Sequence, residues 1–214
     1  MAVEAKICGL TRPDDARASA EAGAAYLGVV FAGGPRLVTP SQAAGIAAAG
    51  GGLPVLGVFG SQFPDEILRI TRAGGLAGAQ LHGEYGPDAA RRLRREGLLV
   101  WRVVRIATPA DLDRLEEAAL EADAVLVEPR VAHAAGGTGV SLDLAVAREA
   151  RARLAGARMV LAGGLTAETV GAAAALVRPE VVDVSSGVER LPGIKDPDRI
   201  AAFLEAALGP SPLS

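Results

Sequence analysis

The chain has 214 residues, 50% hydrophobic and 22% charged, with a formal net charge of −3. That composition supports a large core, excludes intrinsic disorder, and with only 3% aromatic residues argues against a basic, base-stacking nucleic-acid surface. The one cysteine, Cys8, makes neither an internal disulfide nor a cysteine-rich metal site.

Short runs rich in Val, Leu and Ile recur along the whole chain, and the first strand is predicted over Ala2–Ile7. Thr11 before Arg12-Pro13-Asp14 then marks a helix start. Further strands are predicted over Tyr26–Val30, Leu53–Phe59, Ala77–Leu81 and Leu98–Val104. Between the last two, Arg91, Arg92, Arg94 and Arg95 surround Leu93 in a helical pattern. Thr108 before Pro109 opens another helix, whose apolar positions are Leu112, Leu115, Ala119 and Leu120. Strands at Ala124–Val127, Arg158–Ala162 and Val181–Val184 complete the set, with a helix start at Thr166 before Ala167-Glu168.

Near-continuous apolar strands separated by helices mean a parallel sheet covered on both faces. Eight such units in about 200 residues predict a single-domain (β/α)8 TIM barrel over residues 1–208, with 209–214 as a frayed tail. An open doubly wound sheet is the alternative, but it carries a glycine-rich phosphate loop after its first strand. Here that strand ends Lys6-Ile7-Cys8-Gly9-Leu10-Thr11, without the required spacing. No run reaches the roughly 18 apolar residues of a membrane span, and no signal pattern opens the chain, so a soluble cytoplasmic protein is expected. The absence of asparagine and the presence of only three glutamines fit selection for heat; genome base composition explains the arginine bias equally well.

A barrel of this kind places its active site at the C-terminal strand ends. The residues just past each strand are therefore the candidates for function. Cys8 comes after the first, and Phe31 then Gly33-Gly34-Pro35-Arg36 after the second. Gly60-Ser61-Gln62, Gln80-Leu81-His82-Gly83 and Arg105 close the next three. The sixth ends in Glu128, before a loop holding His133 and Gly136-Gly137-Thr138-Gly139. Gly163-Gly164 and Ser185-Ser186-Gly187-Val188-Glu189 come after the last two.

Glycines let backbone N–H groups close on an anion, and serine hydroxyls add donors. Gly163, Gly164, Ser185, Ser186 and Gly187 are thus candidate phosphate ligands, with Gly137 and Gly139 beside them; tight turns alone are the plainer explanation. Cys8 is either a small core residue or a reactive thiol. Lys6, two residues earlier, points into the barrel and needs an acidic partner, for which Asp183 on the neighbouring last strand is the candidate. A cation there is expected to lower the thiol pKa. Lys6 and Lys195 are the only lysines among 22 basic residues, which suggests a specific need for a compact ammonium at both positions.

Taken in order, Lys6-Ile7-Cys8-Gly9-Leu10, Pro35-Arg36, Gln80-Leu81-His82-Gly83, Gly136-Gly137-Thr138-Gly139, Leu161-Ala162-Gly163-Gly164-Leu165, Asp183-Val184-Ser185-Ser186-Gly187-Val188-Glu189 and Pro192-Gly193-Ile194-Lys195-Asp196 resemble phosphoribosylanthranilate isomerase. The resemblance implies a cofactor-free Amadori rearrangement of N-(5-phosphoribosyl)anthranilate in tryptophan biosynthesis. It also implies a small phosphosugar as ligand, no nucleic acid or membrane as partner, and leaves a homodimer open. It assigns Cys8 as base and Glu128, where the family has aspartate, as acid. Arg36 corresponds to the arginine that holds the anthranilate carboxylate, and Asp183 to a strand-eight acid with a supporting role. His82 is a candidate substrate contact or a packed histidine; His133 has no assignable role. Gly34 stands where the family usually has serine. The rival readings are another phosphosugar isomerase, such as the histidine-pathway aminoaldose isomerase, and a non-catalytic barrel kept for binding.

Overall fold

The computed structural model describes residues 3–130 and 142–209. Eight parallel strands close into one barrel in chain order. They are β1 (Glu4–Ile7), β2 (Tyr26–Val30), β3 (Val55–Phe59), β4 (Gly78–Leu81), β5 (Leu99–Ile106), β6 (Ala124–Pro129), β7 (Met159–Ala162) and β8 (Val181–Val184). Around them run α1 (Pro13–Glu21), α2 (Pro40–Ala49), α3 (Pro64–Gly74), α4 (Pro87–Arg95), α5 (Arg114–Leu120), α6 (Leu144–Arg153), α7 (Ala167–Val177) and α8 (Pro197–Leu208). A small antiparallel pair, β9 (Glu189–Leu191) and β10 (Ile194–Lys195), lies beyond β8. The fold is the predicted (β/α)8 barrel, not the open sheet.

Five of these helices begin with proline in the first turn: Pro13, Pro40, Pro64, Pro87 and Pro197. A first turn leaves its N–H groups unpaired in any case, and proline lacks one and has its φ already set. Each helix therefore starts abruptly after the loop leaving a strand end. The expected cap at Thr11 is not made: Arg12 is the capping residue, without a side-chain bond, and the Thr11 hydroxyl donates instead to the Gly193 carbonyl. Tertiary contact between the loops after β1 and β9 outcompetes the local cap. At Thr108 and Thr166 the capping boxes form.

Two apolar layers result from the alternation of side chains along each strand. The larger lies between strands and helices and includes Ile7, Leu27, Phe59, Leu81, Val100 and Phe203. The smaller fills the barrel interior with Leu56, Trp101, Ala124, Leu126, Val160, Ala162 and Val181, and Tyr26 packs against it. Tyr26 meets Trp101 edge-on, ring centroids 5.0 Å apart.

Above this floor the interior turns polar. The β1–β8 register sets Lys6 opposite Asp183, and the ammonium donates to Asp183 Oδ1 at 3.0 Å and to Gln80 Oε1 at 2.9 Å. Nζ also lies 5.5 Å from the Trp101 ring centroid, within reach of its π face. Lys6 is fully buried, which pulls its pKa down, but the Asp183 charge and hydrogen bond more than reverse that and hold it above the ordinary value. The expected Lys6–Asp183 pair is thus formed, and Gln80 is an added partner.

Removing one member of a buried pair strands the other charge, at a typical cost of about 3–5 kcal/mol. Lys6→Met should lose about that much in urea denaturation, and Lys6→Met/Asp183→Leu should recover most of it. Equal losses in the single and double variants would mean that packing, not charge pairing, holds this layer.

Candidate active site

The C-terminal strand ends open into a cavity of about 410 Å³. Cys8, Arg36, His82, Glu128, Asp183, Gly163, Gly164, Ser185, Ser186 and Gly187 all line it, whereas Gly60, Ser61, Gln62 and Arg105, also just past their strands, do not. Gly137, Gly139 and His133 lie outside the described residues.

Cys8 sits just past β1, 7% exposed, its N–H bonded to the Val184 carbonyl at 2.8 Å. The space for it comes from Gly28 on β2. A Cβ at Gly28 would stand 2.8 Å from Cys8 Sγ and 3.0 Å from Lys6 Cε. The thiol differs from expectation in one respect. Burial raises its pKa, and although Lys6 opposes this, the net direction is upward. Desolvation of an anion outweighs a cation already shared with Asp183. The resting cysteine is therefore a thiol.

Glu128 is placed by β6, which runs on through Pro129 so that the carboxyl faces inward on the same side as Ala124 and Leu126. Strand β5 also runs past its expected end to Ile106, and the register sets Arg105 opposite Glu128. Arg105 Nε donates to Glu128 Oε1 at 3.2 Å, and its Nη2 to the His82 carbonyl at 2.6 Å. Burial raises the Glu128 pKa to about 7 despite the Arg105 charge. His82 moves the other way, to about 3, through burial and then repulsion from Arg105 and Lys6. His82 Nε2 lies 3.2 Å from Glu128 Oε1, but this is a contact with a neutral ring rather than an ion pair. Among the described residues, neither ring nitrogen of this 8%-exposed side chain has a hydrogen-bond partner. Buried polar atoms left unpaired in this way suit a site completed by a ligand. Arg130, two residues beyond the acid, pairs with Asp111.

The two glycine loops serve packing as well as any anion. Gly163 has φ +101°, and a Cβ there would fall 2.1 Å from Pro129 Cδ; one at Gly187 would fall 2.1 Å from the Leu165 carbonyl oxygen. Gly164 also lies in left-handed space at φ +63°. Turn geometry thus accounts for Gly163 and Gly164, and close packing for Gly187.

Arg105, Gln80 and Glu189 stand at strand ends in the sequence without a role attached to them, and Gly28 and Trp101 give no signal there at all. Parity could have found some of them. Arg105 shares its strand face with Trp101 and Val103, and Gln80 shares that of Gly78.

A closed barrel whose C-terminal mouth gathers a thiol, a raised carboxyl, an arginine and two glycine loops has the fold and the site of a barrel enzyme. Residues 5–206 match the family model for N-(5'-phosphoribosyl)anthranilate (PRA) isomerase, and the chain belongs to that family. The N-(5'-phosphoribosyl)anthranilate isomerase of Paracoccus denitrificans is 40% identical over 98% of this chain and 99% of its own. The phosphoribosyl anthranilate isomerase structure from Thermotoga maritima is 34% identical, with TM-score 0.87 over 97% of this chain and 99% of that one. Another isomerase structure, in complex with reduced 1-(o-carboxyphenylamino)-1-deoxyribulose 5-phosphate, is 33% identical at TM-score 0.84, covering 97% of this chain and 99% of its own.

The raised Glu128 carboxyl has a stability consequence. Its folded pKa of about 7 exceeds the ordinary 4.5, so between these values the folded state holds the proton more tightly. Stability is therefore highest below about pH 4.5 on this account and declines as pH rises to about 7. Glu128→Gln should raise the Tm at pH 8, by the equivalent of about 2–3 kcal/mol at most, and leave it unchanged near pH 4.5. Thermal melts at the two pH values check this; an equal shift at both would mean the carboxyl carries no such strain.

Proposed function

We propose that this chain converts N-(5-phosphoribosyl)anthranilate to 1-(2-carboxyphenylamino)-1-deoxyribulose 5-phosphate, with Cys8 as general base and Glu128 as general acid. The observation that carries the assignment is the meeting of these two groups in one cavity, the carboxyl raised to about 7 and so still substantially protonated at neutral pH. Opening the furanose requires a proton on the ring oxygen as the C1–O bond breaks. Glu128 supplies it, and the anilino nitrogen becomes a protonated Schiff base. The C2 proton is acidified by that iminium, and Cys8 removes it to give the enolamine. A thiol is a poor base while protonated; the cation created beside it favours the thiolate, the thiol proton leaving to water at the open mouth of the cavity before the C2 proton is taken. Tautomerisation of the enolamine then yields the ketone. Asp183 supports the step by holding Lys6.

Arg36 is assigned to the anthranilate carboxylate, where a guanidinium offers paired, charge-assisted donors. The phosphate is assigned to backbone N–H groups and hydroxyls at Gly163, Gly164, Ser185, Ser186 and Gly187, the loops after β7 and β8 where barrels bind phosphate. His82 is assigned a hydrogen bond to substrate through a ring nitrogen. A charged phosphosugar does not cross a bilayer, so the work is assigned to the cytoplasm. One Thermotoga maritima relative, 35% identical, is a dimeric isomerase from which monomers were generated, and we extend a dimer to this chain; sedimentation equilibrium at micromolar concentration checks it.

Loss of the substrate's fluorescence measures turnover. Positioned acid–base groups typically contribute about 10²–10⁴-fold, so Cys8→Ala should cut kcat by that range while product binding stays near normal. Glu128→Gln should do likewise, and Glu128→Asp should be milder. An alanine at Cys8 that keeps most of kcat overturns the base assignment, and an active Glu128→Gln overturns the acid.

Anion contacts have a different signature. A bulky residue at Gly164 should raise KM with kcat nearly unchanged, and inorganic phosphate should lose its competition with substrate in that variant. Native KM in a Gly164→Val enzyme would place the phosphate elsewhere.

A further inference from the structure

Arg36 is already held on one side before any substrate arrives. Its Nε donates to Glu189 Oε1 at 2.8 Å and its Nη2 to Glu189 Oε2 at 2.7 Å, a parallel two-bond pairing. Glu189 Oε1 also accepts from Lys195 Nζ at 2.9 Å and from the Gly193 N–H at 3.2 Å. The same ammonium donates to the Ser185 carbonyl at 2.9 Å, in the loop after β8. Side-chain exposures are 12% for Arg36, 5% for Glu189 and 0% for Lys195, so the cluster is shielded from water.

The arginine stem is confined as well. Gly9 has φ +72°, and a Cβ there would fall 2.5 Å from Arg36 Cδ and 2.7 Å from Ser185 Oγ. Arg36 and Ser185 therefore rest on the same glycine. A guanidinium carries five N–H donors. Two point to Glu189, which leaves three for the cavity that Arg36 lines. Two cations share one carboxylate here, so the cluster presents net positive charge to that cavity. Burial pushes Glu189 up, but Arg36 and Lys195 hold its carboxyl below the ordinary range, and it stays ionised.

We propose that Glu189, anchored by Lys195, is a positioning residue that orients Arg36 so its free donors meet the substrate carboxylate at a fixed place relative to the strand-eight loop. This deepens the reading of Arg36 as the carboxylate holder and rests on it. A guanidinium on a flexible stem loses rotamer entropy on binding; one fixed in advance does not lose it again. Among the described residues the Lys195 ammonium hydrogen-bonds Glu189 and Ser185 and not Cys8 or Glu128, but its charge does act to lower the Cys8 thiol pKa, so replacing Lys195 is expected to touch kcat as well as KM.

Steady-state kinetics on Glu189→Gln, Arg36→Met and the combined variant test the idea. Glutamine keeps the shape but loses the charge and one of the two acceptors, so KM should rise about tenfold with kcat within about threefold of native. Arg36→Met should raise KM at least as much, and adding Glu189→Gln to it should change KM less than about twofold, because residues that act through one group are not additive. A substrate analogue lacking the carboxylate, N-(5-phosphoribosyl)aniline, should show little response to Glu189→Gln. Glu189→Gln/Lys195→Met removes the Lys195 charge that Glu189→Gln alone strands, so that Arg36 is the one cation of the cluster left without its carboxylate; with Tm monitored to separate a folding defect, it should show the same rise in KM.

Native KM in Glu189→Gln, a full tenfold effect persisting in the Arg36→Met background, or an equal loss on the aniline analogue would each overturn the proposal. Native KM in Arg36→Met alone would instead show that Arg36 does not hold the carboxylate, and would remove the reading beneath it.

Discussion

The buried ammonium of Lys6 is the constraint from which the site is built. It closes the seam between β1 and β8 by its pairing with Asp183, makes a second contact with Gln80 on β4, and rests above Trp101 on β5. One cation thus ties four strands at the boundary between the apolar floor of the barrel and its polar mouth. A lone charge at that depth would be ruinous, so its partners are fixed with it. Cys8 is two residues along the same strand and inherits its place from this arrangement, with Gly28 opposite providing room for both side chains. Charge pairing and the position of the thiol are one structural fact.

A second feature of the mouth is that burial widens the pH range over which its titrating groups stay neutral. Glu128 keeps its proton to about pH 7, His82 stays neutral down to about pH 3, and Cys8 remains a thiol. Burial is the leading cause in all three, and in each case the neutral form is the one selected. The acid–base corner of the site is therefore a desolvated pocket whose three titrating groups rest neutral, beside the Lys6–Asp183 ion pair and the Arg36 and Arg105 guanidiniums. That suits a reaction through a cationic Schiff base, since the cation arises where nearby groups are neutral and able to respond. The rest of the fold carries the cost, in the raised carboxyl and in the His82 nitrogens, which have no hydrogen-bond partner among the described residues.

The anion-recognising side of the mouth is built on the opposite rule. Arg36, Glu189 and Lys195 are buried charges satisfied by one another rather than neutralised. Both lysines of the chain are fully buried in such networks, Lys6 under the thiol and Lys195 under the strand-eight loop. In a sequence that otherwise uses arginine, these are the two places where a compact point charge with three donors fits and a planar fork does not.

The sequence by itself determined the barrel and most of its mouth. Its alternation of apolar runs and helical stretches has one compact solution, and the rule that barrels work at their C-terminal ends turns the post-strand residues into a site. Lys6 and Asp183 were legible as a pair because a closed barrel must set the first strand beside the last. What only the tertiary structure decided are matters of distance and desolvation. The extension of β5 that brings Arg105 to Glu128, the proton that stays on Cys8, the Glu189 clamp on Arg36, and the approach of Pro129 to Gly163 depend on residues far apart in the chain. Periodicity reports which face a residue occupies. It carries no measure of how deeply that face is buried or of which distant charge lies within hydrogen-bond reach, and those two quantities set the state of every titrating group in the site.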